Sequence, residues 1–89
     1  MTDTKNIEKM LKVLANYRRL EILRVLKSRK NVTVGEIAEI IKLSFKSTSR
    51  HLALLLASDL IDRNQISLQV YYTISLELPV LARQIISSI

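Results

Sequence analysis

The sequence predicts a mostly α-helical chain with a small β-hairpin. The arrangement is a winged helix-turn-helix with additional N- and C-terminal helices for dimerisation. Three observations predict it. Apolar residues recur at helical spacing over four segments before residue 58. The spacing switches to a period of two between Leu60 and Ile74, as a hairpin requires. Between them, Glu36 to Leu55 reads as a short amphipathic helix, a tight turn and a second helix with a basic, hydroxyl-rich outer face.

Residues 4–15 form the first expected helix, with Ile7, Met10, Leu11 and Leu14 on one face. Residues 17–28 form the second, with Leu20, Leu23 and Leu26 inward and Ile22 and Val25 widening the stripe. Asn16 lies between them and suits the cap of the second helix. Arg29-Lys30-Asn31 is a polar connection, and Val32-Thr33-Val34 favours a brief extended piece. Thr33 and Glu36 match a capping box, which satisfies two orphan amide donors at a helix start. A third helix then runs to about Lys42, with Val34, Ile37, Ala38 and Ile41 along one side.

Ser44 suits the cap of a fourth helix reaching about Ser58. At about 100° per residue, Leu52 and Leu55 fall within about 40° of Thr48 and define a buried face. Lys46, Arg50, Ala53 and Ala57 fall on the far side, with Ser47 and Ser49 on the shoulders. Leu60 to Arg63 and Leu68 to Ile74 read as strands, with Asn64 to Ser67 as the hairpin tip. A last helix begins near Pro79, with Leu78, Leu81, Ala82, Ile85, Ile86 and Ile89 as its apolar positions. The chain is expected to be one domain, residues 1–89. Within it the helix-turn-helix spans about 34–58, the wing about 60–74, and the dimerisation helices about 4–15 and 78–89.

Composition narrows the function. With 48% apolar residues the 89-residue chain has the means to build a core. The absence of cysteine removes disulfides, thiolate chemistry and thiolate metal ligands. The longest apolar run, Leu52 to Ala57, is far short of the roughly 20 residues a membrane span needs. Lys5, Lys9 and Lys12 interrupt any signal-peptide core, so no membrane association and a cytoplasmic location are expected. The net charge is +6, and residues 1–30 carry all of it, with nine basic residues against three acidic; residues 31–89 hold five of each. Such a balance attracts polyanions, nucleic acid first among them, although basic side chains also simply solvate helix faces.

Certain stretches resemble the ArsR/SmtB family of bacterial and archaeal transcriptional repressors. They are Leu14 to Leu23, with its L-A-x-x-x-R-L-x-I-L pattern, Glu36-Ile37-Ala38, Leu43-Ser44, Ser49-Arg50-His51-Leu52 and Val70-Tyr71-Tyr72. Together they cover roughly residues 7–75 in the order the family shows. The resemblance implies a homodimer built on the terminal helices, one recognition helix per subunit, and repression relieved by a ligand. The chain departs from the family at three places. Lys42 stands where a turn glycine is frequent, Thr48 where a valine is frequent, and Arg63, Asn64 and Gln65 stand in place of a basic, glycine-containing wing tip.

On these grounds the expected partner is double-stranded DNA, met by Ser44, Lys46, Ser47, Ser49, Arg50, His51 and, on the wing, Arg63. Lys and Arg donate to guanine O6 and N7, and hydroxyls bond phosphate or base edges. Two roles are open to His51, the only histidine: donation to a phosphate, or local packing and hydrogen bonding. Phe45 either touches a thymine methyl or folds into the core, and the core is preferred. The expected homodimer interface is Ile7, Met10, Leu11, Leu14, Leu78, Leu81, Ile85, Ile86 and Ile89, stripes with more apolar surface than a three-helix core covers.

No metal and no cofactor is expected. The family's thiolate positions hold Thr33 and Gly35, and the last helix offers only Glu77, Arg83 and Gln84 where relatives use His and carboxylates. Zinc-type ligation needs three or four N, S or O ligands. An enzyme is not expected either, since no nucleophile–base–orienter set and no phosphate-cradling glycine loop occurs. The sequence therefore reads as a sequence-specific DNA-binding transcriptional regulator, a homodimeric repressor without the family's usual metal sites, and it identifies no effector. The alternatives are a winged helix used as a protein–protein module and a nonspecific architectural DNA binder.

Overall fold

A computed structural model describes residues 3–89. The chain runs α1 (Thr4–Leu14), α2 (Tyr17–Ser28), α3 (Val34–Ile41), α4 (Phe45–Ala57), β1 (Ile61–Ile66), β2 (Gln69–Ile74) and α5 (Val80–Ser87). Four of the five helices start on side-chain caps. Asp3 accepts from the Lys5 amide at 3.0 Å, Asn16 from Arg19 at 3.1 Å and Ser44 from Ser47 at 3.1 Å. Thr33 and Glu36 form the full reciprocal box. The Thr33 amide and hydroxyl, and the charge of Arg29, hold the Glu36 carboxyl below its ordinary range.

Helix ends are closed without glycine. Asn31, Lys42 and Asp59 adopt left-handed backbone at φ 54°, 55° and 59° after α2, α3 and α4. Behind Lys42, the Leu43 amide donates back to the Ala38 carbonyl at 3.0 Å; behind Asp59, Leu60 donates to Leu55 at 3.1 Å. This is the closure that a left-handed residue allows. Lys42 thus takes a backbone conformation that glycine adopts at no steric cost, and it does so in full view of solvent.

The core lies where α2, α3, α4 and the hairpin meet. Ile22, Leu23, Ile37, Leu52, Leu55, Leu60 and Ile61 are buried. Ile22 therefore lies at the centre of the α2 face rather than at its edge, and Leu20 is only half-buried. Thr48 is fully buried too, and its hydroxyl donates to the Ser44 carbonyl at 2.8 Å. A threonine is thereby buried without leaving its hydroxyl unpaired.

The extended segment expected at Val32 to Val34 contracts to a single antiparallel bridge. Val32 exchanges two backbone bonds with Tyr72, while Thr33 caps α3 and Val34 already belongs to it. The wing is longer than its residue types suggest. Asn64, Gln65 and Ile66 pair with Tyr71, Val70 and Gln69, so the tip is Ser67-Leu68. Among the described residues no helix is long and apolar enough to cross a membrane.

Two expected interface residues belong to the core instead. Leu14 is 3% exposed and Ile86 5% exposed within the single chain, so both spend most of their surface on its own core. Leu14 closes over α2 at the end of α1, and Ile86 shares the inner face of α5 with Ala82. Leu11 and Leu81 remain exposed, and Ile7, Met10, Leu78, Ile85 and Ile89 are half-buried.

Candidate nucleic-acid interface

Helix α4 is anchored by its buried side, Thr48, Leu52 and Leu55, and projects its opposite side to solvent. Lys46 and Arg50, one turn apart, are both exposed. Neither has a hydrogen-bond or ion-pair partner among the described residues. Ser47 and Ser49 are half-buried on the shoulders. Ser44 is exposed, but its hydroxyl already caps the helix by accepting from Ser47.

Phe45 corrects the sequence reading. It is 63% exposed, at the first position of α4, rather than folded into the core. Its angle on the helical wheel lies near the buried arc. A side chain in the first turn leans toward the helix N-terminus, however, and so past the edge of the core.

His51 is held from below. Its Nδ1 lies 3.2 Å from Arg19 Nη1, and Arg19 also donates to the carbonyls of Val13 and Lys12 at the end of α1. Local packing and bonding engages Nδ1 alone, and donation to a phosphate through Nε2 is compatible with it. Burial first, then the charges of Arg19 and Arg18, lower the His51 pKa below its ordinary value. Arg18 is likewise engaged, with Glu21 at 2.9 Å and the Ile41 carbonyl at 2.8 Å. These two arginines align α2 with α1, α3 and α4. The motif residue Arg19 was the signal for this, but nothing in its spacing tied it to His51.

Arg63 lies on β1 opposite Tyr72, exposed, at the edge of an open cavity of about 800 Å³. Lys27, Arg29 and Lys30, from the end of α2 and the link to α3, line the same cavity. The fold therefore brings part of the N-terminal charge excess beside the wing. Lys27 is partly spent, donating to the Ser87 and Ile89 carbonyls at 3.2 Å each.

The residues at the family's metal positions do not fit a metal. The Thr33 hydroxyl serves the α3 cap, and Gly35 has no donor. On the last helix, Arg83 is a cation, donating to the Leu78 carbonyl at 3.2 Å. Among the described residues, no group of three His, Cys, Asp or Glu is gathered.

Comparison with known proteins agrees with this architecture. The sequence model described as "Bacterial regulatory protein, arsR family" matches residues 16–63, which include the Arg19 and His51 motifs. The transcriptional activator HlyU of Vibrio cholerae serotype O1 is 38% identical over 66 residues, 74% of this chain and 60% of HlyU. The chain thus spans less than two thirds of the length of that curated relative. The structure of reduced HlyU from Vibrio cholerae superposes with a TM-score of 0.81 at 30% identity, over 96% of this chain and 85% of that one. The transcriptional repressor PagR of Bacillus anthracis gives 0.77 at 29% identity, over 92% and 91%. The homodimeric winged helix-turn-helix DNA-binding domain Mb0332 of Mycobacterium bovis gives 0.80 at 27% identity, over 99% and 83%. The winged helix, the capped α4 and a family match over more than half of the sequence lead to one assignment: this chain belongs to the arsR family of bacterial regulatory proteins.

Proposed function

We propose that the protein is a sequence-specific DNA-binding transcriptional regulator that works as a homodimer and without the family's metal sites. The observation that carries this is the outward face of α4, where Lys46 and Arg50 stand exposed, without a partner among the described residues, on a helix whose other side is locked into the core. That helix enters the major groove, Lys46 and Arg50 donate to base edges or phosphates, and Ser47 and Ser49 bond at the groove wall. Arg29, Lys30 and Arg63, beside the wing, neutralise flanking phosphates. A regulator of this kind works in the cytoplasm, beside the chromosome, and does no chemistry of its own.

Leu11, Leu81 and the half-buried positions of α1 and α5 supply the homodimer surface. HlyU is named an activator and PagR a repressor. The sign of regulation therefore depends on where the bound site lies relative to the promoter, and the repressor reading is the simpler one, since a protein seated in the groove blocks polymerase.

Mobility-shift titration of duplex pools at two salt concentrations, with and without competitor DNA, tests the role. A selected duplex should survive competition, and affinity should fall with a log–log slope of about −0.9 per neutralised phosphate. Binding that any duplex competes away would mean an architectural role. No binding at either salt would mean a protein–protein module.

A further inference from the structure

We infer that Phe45 is a specificity-determining residue that packs its ring on the methyl group of a thymine next to the base pair met by Lys46. The inference rests on the DNA-binding role proposed above. Phe45 is the only phenylalanine in the chain, and it stands 63% exposed at the first position of α4. The N-terminal residues of a recognition helix are the ones that reach base edges.

Its neighbours on that turn, Ser44, Lys46 and Ser47, are polar. Leu54, another exposed large apolar residue of α4, lies nine residues along and about 180° round the helix. Within α4, Phe45 is thus a lone ring on an otherwise polar first turn. A phenyl ring has no donor or acceptor for phosphates or for the polar base edges. The one apolar group exposed in the major groove is the thymine methyl. Lys46, adjacent on the same turn, donates to guanine O6 or N7. The two together read a thymine within a base pair or two of a guanine.

The test begins with selection of binding duplexes from a randomised pool by the intact chain. Each thymine of the selected site is then replaced by deoxyuridine, which removes only the methyl. At one thymine per half-site the unaltered protein should lose about fourfold in affinity, the worth of one buried methyl. Phe45→Ala, an exposed change that spares the core, should bind the two duplexes equally. Phe45→Gln should shift the preference at that position toward adenine, whose N6 and N7 a glutamine meets. If deoxyuridine costs Phe45→Ala as much as the unaltered chain, or costs neither anything, the thymine contact is wrong and the regulator role stands. If no duplex is selected at all, both fall.

Discussion

Arg19 and His51 lie 32 positions apart in sequence, yet Nη1 of the one meets Nδ1 of the other at 3.2 Å. A guanidinium has no acceptor, so Nδ1 of His51 accepts and its ring proton sits on Nε2. The pair joins two of the stretches that carry the family resemblance. Through the Val13 and Lys12 carbonyls it also ties the end of α1 to the helix proposed to read DNA.

Stability should therefore depend on pH near neutrality. Burial and the neighbouring arginines lower the folded-state pKa of His51, so the unfolded chain binds the proton more readily. The contribution is fully present above the unfolded value of 6.5 and is lost as pH falls through the lowered folded value. Denaturant midpoints measured from about pH 8 down to about pH 5 should fall on the acid side, with no other histidine to blame. His51→Asn keeps an acceptor near Nδ1 and cannot titrate, so it should flatten that slope. An unchanged slope in the variant would separate the effect from His51.

Arg19 should be irreplaceable by lysine. Arg19→Ala is expected to cost about 1–3 kcal/mol, the range for charge-assisted bonds to partly buried acceptors. Arg19→Lys should recover little of it, because one ammonium cannot span the Val13, Lys12 and His51 acceptors as the planar guanidinium does. Chemical denaturation of the three proteins checks this.

Lys42 offers a change in the other direction. It holds φ 55° and ψ 53° in an exposed turn. Lys42→Gly removes the side-chain clash but adds freedom to the unfolded chain, so the net gain should be about 0.5–1 kcal/mol. A loss of stability on this substitution would show that the Lys42 side chain contributes more than its backbone costs.

Much of this fold was legible in the sequence, and the exceptions share physical causes. The limits of α2 followed from its apolar period and the Asn16 cap, and those of α3 from the Thr33–Glu36 box. The wing was underestimated because Asn64 and Gln65 have little β-propensity, and cross-strand pairing with Tyr71 and Val70 overrides it. The helix ends carry no glycine, and Lys42, unlike Asn31 and Asp59, is not even of a residue type that visits left-handed backbone readily. At the site, the outward placement of Lys46 and Arg50 came from the helical period. The exposure of Phe45 and the Arg19–His51 contact depend on how the core ends and on tertiary pairing, which periodicity does not encode. The same limit explains Leu14 and Ile86, whose stripe positions could not separate core from interface.

Dimer assembly is best probed at residues that the single chain leaves exposed. Leu11 and Leu81 are 40% and 38% exposed, and each fully buried aliphatic side chain contributes about 1.5–3 kcal/mol. Leu11→Asp with Leu81→Asp should leave the helical content intact and shift sedimentation from dimer to monomer. Ile86→Asp should instead unfold the chain. A monomer at micromolar concentration for the unaltered protein would contradict the assembly.

The most direct test of the central claim is an anisotropy titration of a selected duplex with the intact chain and with Arg50→Ala. Arg50 is exposed and bonded to nothing among the described residues, so its loss should not alter stability. The prediction is a folded variant that binds about 1–3 kcal/mol more weakly and discriminates less at one base pair. Equal affinity and equal discrimination in the two proteins would contradict the assignment of α4 as the reading helix.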